Sequence, residues 1–465
     1  MLDPFLNQLD ERFHALVAKN MMHHPLMPTL YDNPVVNMNY DRWDRLHIWV
    51  HKQPLFLWQI ALSFKLLGIS EFTLRIPSVI LATLLVLITY RSALLLTNQK
   101  TGYISAVLVI TSLYLIEMIS GRKELDHNDV SFMVYISLSL WSFIEYWFSK
   151  KKRWILLIGL FSGLAILCKW LVGLLVYLGW FIYLVQPGKS RLTELRNFIF
   201  SLLITIVVAA PWQIFIFSRY PAEALMAYEY NVQHFLKPLD GHSGNFLYHF
   251  DLISSIYGPG AIIMILPALY LFYRHSRDRR LFFILLSMVL AVYLFFSFTA
   301  TKMPSFTTVV FMVVIIAFAT LLNAIIEFAS SFLNKESARS MIFSLLILLI
   351  VFFRFDTEFL TEKHGLRKME NKYSRMLIEN KNVFESLKPL PNTVLFNVKG
   401  RHYIEAMFYL GIPAYNFIPS RLQVNELKSK GMKIAIFMPS QCELPDYLTS
   451  DPDVTIINKE IQGYD

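Results

Sequence analysis

Ten runs of apolar residues dominate this 465-residue chain, at 73–96, 101–120, 130–148, 153–168, 171–185, 196–217, 258–273, 279–299, 304–327 and 338–355. A helix needs roughly 20 apolar residues to cross the hydrocarbon core of a bilayer. The fourth, fifth and seventh runs are shorter than the others. The pattern predicts an all-α polytopic membrane protein with about ten transmembrane helices. Composition agrees: 55% of residues are hydrophobic and 17% charged, against about 25% charged in an average globular chain.

Several function classes fall away. In a membrane chain a net charge of +9 marks cytoplasmic loops, so no nucleic-acid partner is expected. Cys168 lies in an apolar run and Cys442 in a polar tail, which argues against a disulfide framework and a cysteine metal site. Residues 1–53 are polar and aromatic, with no leading apolar span and no secretory signal.

Lys and Arg set the orientation. Alternate connections carry Arg91 and Lys100, then SKKKR (149–153), then Lys189, Arg191 and Arg196, then YRHSRDRR (273–280), then Lys335 and Arg339. These form the basic, cytoplasmic side. Residues 1–72, the loop 218–257 and the tail after 355 then lie on the far side, which in a bacterium is the periplasm. Residues 1–72 read as a first loop with juxtamembrane helices, 73–355 as the membrane domain and 356–465 as a small soluble α/β unit. Within the tail, NTVLFNV, KIAIFMP and VTIINKE read as strands and HYIEAMFYLG as a helix. It has no glycine-rich phosphate loop, so it reads as a packing or acceptor-recognition unit.

The chemistry-bearing residues gather on the far side. LDERFHALVAKNM (9–21) has helical spacing, with Phe13, Leu16 and Val17 on one face and Asp10 and Glu11 at its start. Acids there either cap the helix or face a substrate. HIWVHKQPLFLW (47–58) leaves two readings open. One is a helix presenting His47 and His51 on one face, a metal-ligand spacing. The other is a helix starting at Pro54, with the histidines as interfacial aromatics. PLFLWQIALSFKLLG (54–68) is short and amphipathic, and is expected to lie in the interface.

GRKELDHNDVSF (121–132) packs charged and polar residues between two apolar runs. Ionisable groups at membrane depth are costly and tend to be functional. Asp126, His127 and Asp129 suit a divalent cation or a tuned base; the bland alternative is a wetted turn. Lys169 and Lys302 stand alone at outer helix ends, where each either snorkels or meets an anion. The loop 218–257 is long enough to cover a site and carries Arg219, His234, Lys237, Asp240, His242, His249 and Asp251.

The ordered landmarks LDER, HKQPLFLW, EFTLRIPS, GRKELDHNDVSF, GLAILCKW, APW and TKMP run from about residue 9 to 310. In this order they resemble the GT-C glycosyltransferases of the protein O-mannosyltransferase and lipid A aminoarabinose transferase type. The resemblance implies an inverting transfer of a sugar from a polyprenyl phosphate to a lipid, glycan or protein acceptor, in a cavity on the periplasmic face of the bacterial inner membrane. Asp10, Glu11 and Arg12 match the family's first acid pair, with one residue fewer before the Arg. His51, Lys52, Gln53 and Pro54 match a Glu-Lys-Pro-Pro motif in which histidine replaces the acid. In the second acidic motif, an ungapped count from Arg122 puts the family's Asp on His127, flanked by Asp126 and Asp129. The family places a span before its first acid pair, whereas Met1 here is nine residues ahead of Asp10. With such a span restored, the N-terminus would be cytoplasmic and the rest would keep its orientation.

The resemblance thus implies Asp10 as the base, with Asp126 and Asp129 positioning base, donor or metal. Lys52, Lys169, Lys302 and Arg122 would meet the donor phosphate, and Glu11, His234 and Lys237 would serve the acceptor or a lid. His47, His51, His127 and Asp126 form a candidate site for a divalent metal ion. Two rival readings are a transporter or lipid flippase and a non-catalytic membrane scaffold. The chain shows no half-to-half repeat, and its polar residues sit at helix ends rather than at the midplane, where transporters place their sites.

Overall fold

The computed structural model describes residues 3–8, 10–37, 42–122, 127–185, 191–332, 336–355, 372–439 and 443–463. From the N-terminus, α1 (Asp10–Met21) and the short α2 (Leu55–Leu67) precede the long α3 (Glu71–Leu96). Then come α4 (Gln99–Ile110), α5 (Leu113–Ile119), α6 (His127–Ser149) and α7 (Lys152–Lys169). A 3-10 turn at Leu171–Leu174 leads into α8 (Leu175–Val185). Next are α9 (Arg191–Arg219), α10 (Pro221–Leu236), α11 (Tyr248–Asp251), α12 (Ile253–Tyr257), α13 (Ala261–His275) and α14 (Arg279–Phe298). A second 3-10 segment, Pro304–Val310, opens α15 (Phe311–Ser330), and α16 (Glu336–Arg354) follows.

Helical structure occupies all ten predicted runs. Among the described residues, α3, α9, α14, the Pro304–Ser330 segment and α16 are each long and apolar enough to cross a membrane, and counting each of two bent pairs as one span gives up to seven. The chain is a multi-pass membrane protein. The run 101–120, expected as one span, is bent by 51° between α4 and α5. Ser112 explains the break: its side chain accepts from Leu115 N and so starts a new helix. The run 258–273 is likewise part of a pair bent by 84°, the break falling at Gly258-Pro259-Gly260. The start of α3 is set by a capping box between Ser70 and Thr73.

Two membrane-domain helices fix the ends of the bundle. Helix α6 begins among Asn128 and Asp129 and ends at the basic SKKKR turn. Helix α14 runs the other way, from Arg279 and Arg280 to Phe298. The acidic start of α6 and the end of α14 therefore share one end of the bundle, opposite the basic loops.

In the tail, β1 (Thr393–Phe396), β2 (Lys433–Phe437) and β3 (Val454–Ile457) form a parallel sheet in that order. The first two strands are buried almost throughout. A single core joins this unit to the N-terminal segment: Phe13, Val17, Tyr31, Trp49 and Phe56 cluster with Phe396, Tyr403, Tyr415 and Ile434. Tyr31 stacks on Tyr415 at 5.2 Å between ring centroids. Arg12 of α1 pairs with Glu405 at 3.3 Å, both buried. This contact fastens the tail to the helix that carries Asp10.

Candidate active site

The sequence places two acids at the start of α1, and the fold gives them different surroundings. Glu11 points inward. Both its oxygens bond the fully buried Arg75 guanidinium, at 2.9 and 3.0 Å, and Oε1 lies 2.9 Å from His127 Nε2. Asn7 donates to the same carboxylate through its backbone N and its Nδ2. Burial pushes the Glu11 carboxyl up, but the Arg75 charge and the bonds from His127 and Arg75 outweigh it and hold the group well below the usual carboxylate range. Ser78 Oγ, 2.8 Å from His127 Nδ1, completes the ring's contacts. Glu11 is thus the centre of a buried ionic lock joining α1, α3 and α6, and the expectation of an acceptor or lid role for it does not fit this geometry. His127, expected as a metal ligand, is part of the same lock.

Asp10, one residue earlier, turns toward a cavity of about 1110 Å³. Its Oδ2 accepts from Lys52 Nζ at 3.1 Å, and its side chain is 30% exposed. Across the same cavity, Asp129 on α6 accepts from Lys169 at the end of α7. The Lys169 ammonium also lies 5.1 Å from the centre of the Phe306 ring. Asp129 Oδ2 is buried and has no hydrogen-bond partner among the described residues. Two acid–lysine pairs therefore line one cavity. Phe132, Leu174, Leu178, Val292, Phe296 and Val309 line an apolar portion of the same space.

The structure sorts the expected residues. Asp10, Asp129, His51, Lys52, Lys169 and His234 all line the cavity. Four others lie away from it. Arg122 is locked to Asp3, with bonds of 2.8 and 3.0 Å. The Lys302 ammonium is buried against the carbonyls of Phe296 and Ser297 at 2.9 and 2.6 Å, where it neutralises the carbonyl end of α14. Lys237 is exposed on the surface. His47 sets its Nδ1 2.7 Å from the Tyr31 carbonyl. Asp126 lies outside the described residues.

The metal expectation meets a second obstacle. Residues 47–51 are not helical, because α2 starts only after Pro54. His47 and His51 therefore do not share a helical face. His51 stacks on Trp43 at 4.6 Å, while His127 serves the ionic lock. Among the described residues no three His, Cys, Asp or Glu side chains converge as a ligand set. The described residues alone do not form a ligand set for a divalent ion.

Other cavity residues gave no sign in the sequence. Trp43, Trp170, Tyr228, Tyr230 and Asn231 contribute to its wall, and so does Arg401 from the tail. Arg401 follows β1, donates to Asp44 at 3.1 Å and lies 5.6 Å from the Trp43 ring centre. Loops at the carboxyl ends of parallel strands are a common place for ligand contacts. That rule was the only available pointer to Arg401. His234 sits on α10 with its Nδ1 3.1 Å from Thr301 Oγ1. Burial, followed by repulsion from Lys52 and Lys169, lowers it to about 4.

Comparison with known proteins follows the same lines. An uncharacterised protein of Aquifex aeolicus strain VF5 is 28% identical over 202 residues, 43% of this chain and 37% of that one. The undecaprenyl phosphate-alpha-4-amino-4-deoxy-L-arabinose arabinosyl transferase 1 of Pseudomonas fluorescens strain Pf-5 is 25% identical over 264 residues, 54% of this chain and 45% of that one. The matches thus span less than half of each curated relative. Among solved structures, ArnT from Cupriavidus metallidurans bound to undecaprenyl phosphate superposes with a TM-score of 0.64 at 17% identity, covering 98% of this chain and 86% of that one. The archaeal oligosaccharyltransferase AglB from Archaeoglobus fulgidus gives 0.55 at 12% identity, covering 89% of this chain and 61% of that one. Residues 51–215 match the dolichyl-phosphate-mannose-protein mannosyltransferase family, and the chain as a whole shares the fold of the solved ArnT structure.

Proposed function

We propose that this protein transfers a sugar from a polyprenyl-phosphate donor to a lipid, glycan or protein acceptor. The observation that carries the reading is the pair of acid–lysine contacts, Asp10–Lys52 and Asp129–Lys169, on the wall of a cavity whose other portion is apolar. The apolar portion suits a prenyl tail. The lysines suit the phosphate, and the carboxylates suit a hydroxyl nucleophile. The solved ArnT relative was captured with undecaprenyl phosphate, which supports a carrier of that class here.

The chemistry follows from charge. The glycosyl phosphodiester carries one negative charge. As the bond between C1 and the phosphate oxygen breaks, the electron pair stays with the oxygen and the departing polyprenyl phosphate gains a second charge. Lys52 and Lys169 interact more strongly with that product-like state than with the ground state, which is the condition for lowering the barrier. The acceptor oxygen attacks C1 from the opposite face, inverting the anomeric centre, and Asp10 takes its proton. Before the donor arrives, Lys52 holds Asp10 in an ion pair. A phosphate that recruits Lys52 releases Asp10, so donor binding itself prepares the base. Asp129 Oδ2, without a hydrogen-bond partner among the described residues, is available to accept from a sugar hydroxyl.

The basic loops at the other end of α6 and α14 support a periplasmic cavity in the inner membrane. On this reading residues 1–72 and 356–465 form the periplasmic cover of the membrane domain 73–355, and their shared core supports that arrangement.

The test is transfer in detergent. The purified chain is incubated with glycosyl polyprenyl phosphates extracted from its host membranes and with a crude envelope fraction as acceptor. Mass spectrometry should show free polyprenyl phosphate and a glycosylated acceptor, both reduced by about 10²-fold or more with Asp10→Asn. Movement of the intact donor lipid across a vesicle bilayer without bond cleavage would instead favour the transporter reading.

A further inference from the structure

A smaller pocket, of about 340 Å³, adjoins the main cavity. The two share Trp43, His51, Tyr230 and Asp240, and the smaller one adds Arg42, Leu46, Met226 and Ala227. We propose that this side pocket is the acceptor subsite and that it takes a saccharide ring, so that the acceptor is a glycan or glycolipid. The proposal rests on the glycosyltransferase reading above.

Size argues first. Small-molecule sites run from about 300 to 1,000 Å³, so the side pocket holds a ring rather than a lipid chain, and the larger apolar space is left for the carrier.

Wall chemistry argues next. Trp43 and Tyr230 offer broad aromatic surface, which packs against the C–H faces of a sugar. Arg42 and Asp240 supply a fixed donor fork and a carboxylate acceptor, the pair of groups that reads hydroxyls. Leu46, Met226 and Ala227 provide the apolar remainder of the lining.

The wall is also prepared. Trp43 is held by His51 at 4.6 Å and by Phe13 at 5.1 Å, with the Arg401 guanidinium 5.6 Å from its centre. Arg42 and Arg401 both bond Asp44, at 2.9 and 3.1 Å, so one buried carboxylate orients two cations near the pocket. Tyr230 bonds Asp240, fixing the far wall. A site whose side chains are already immobilised loses less entropy on binding.

Position argues last. His51 belongs to both spaces and directly precedes Lys52, the partner of Asp10. A ring in the side pocket would therefore sit beside the proposed base.

Two variants and two acceptor pools test this. Met226→Trp fills the pocket, and Arg42→Ala removes its exposed guanidinium without adding bulk. The purified full chain is given radiolabelled glycosyl polyprenyl phosphate with either a host glycolipid-and-glycan extract or a host membrane-protein fraction. Binding of undecaprenyl phosphate is measured in parallel to confirm that each variant is folded. The expected result is label in the glycolipid-and-glycan pool, reduced about tenfold or more by Met226→Trp and by Arg42→Ala, with undecaprenyl phosphate binding unchanged. Label only in the protein pool overturns the saccharide assignment. Transfer indifferent to both variants overturns the site while leaving the glycosyltransferase reading standing. No transfer into either pool by the wild-type chain sinks that reading and the subsite with it. Should Met226→Trp fail to bind undecaprenyl phosphate, Arg42→Ala alone decides.

Discussion

Glu11 Oε1 lies 2.9 Å from His127 Nε2, and the same carboxylate is gripped by Arg75. The contact draws the start of α1 to the start of α6, and so brings Asp10 and Asp129, each neighbouring a member of the lock, to one cavity. Arg75 and Glu11 both have side chains with no exposed area. Removing one partner of such a buried pair typically costs about 3–5 kcal/mol, because the other charge is left without compensation. Glu11→Ala is therefore expected to lower the thermal midpoint in detergent by several degrees and to lower activity in proportion to the loss of folded protein. A midpoint unchanged by Glu11→Ala would show that the lock does not hold the two helices together.

Asp10 and Lys52 should separate chemistry from binding. Asp10→Asn removes the base and also its ion pair with Lys52. Turnover is expected to fall by about 10²–10⁴, the usual contribution of a positioned base. Affinity for undecaprenyl phosphate should hold or tighten, since the Asp10 carboxylate then no longer competes for the ammonium. Lys52→Ala should do the reverse to binding and weaken it. Single-turnover kinetics with a direct binding measurement check both. Weakened phosphate binding in Asp10→Asn would contradict the competition on which the ordering of donor and base depends.

Much of this site was legible in the sequence because ionisable residues at membrane depth carry a large desolvation cost and so stand out singly. Asp129 and Lys169 stand out that way, Asp10 and Lys52 through their match to the family's motifs, and all four line the cavity. The same signal misplaced Lys302, which cancels the partial charge of a helix end, and Arg122, which pairs with Asp3. Composition cannot tell a cation that waits for a ligand from one already satisfied by the fold. His127 was singled out by counting along a motif without gaps, yet at the start of α6 its ring meets Glu11. Arg75 looked like an ordinary residue near a helix start in EFTLRIPS; only the packed structure reveals its bonds to Asp3, Phe5 and Glu11. Arg401 was the least accessible, because its role depends on the tail folding back over α1 through contacts such as Arg12–Glu405. The ten helical runs were the easiest part, and the bend at Ser112 shows what hydropathy misses, since a cap is a local hydrogen bond and not a loss of apolar character.

His234 gives the protein an acid limit. Burial and then the charges of Lys52 and Lys169 lower it to about 4, from an ordinary value near 6.5. Between those values the unfolded chain holds the proton and the folded chain does not. Stability therefore falls as pH drops from about 6.5 toward 4, and this contribution is fully present only above 6.5. Thermal midpoints measured across that window should decline, and His234→Gln should flatten the decline. An equally steep decline in His234→Gln would assign the acid sensitivity to other groups.

Gly121 should be the most sensitive glycine around the lock. Its φ is +65°, in the left-handed region, and a Cβ there would lie 2.5 Å from Glu11 Oε1 and 2.9 Å from His127 Nε2. An L-residue costs about 1–2 kcal/mol in this conformation before any clash is counted. The clash adds to it, since both neighbours are buried and held by Arg75 and Ser78. Gly241 supplies the control: its φ is +78°, but nothing lies within 4 Å of an added Cβ. Gly241→Ala should therefore cost the backbone component alone, while Gly121→Ala should lower the thermal midpoint further and also reduce transfer by shifting α1 against α6. Equal midpoints for the two variants would mean that the space around Glu11 and His127 yields freely, and that the lock is looser than the distances imply.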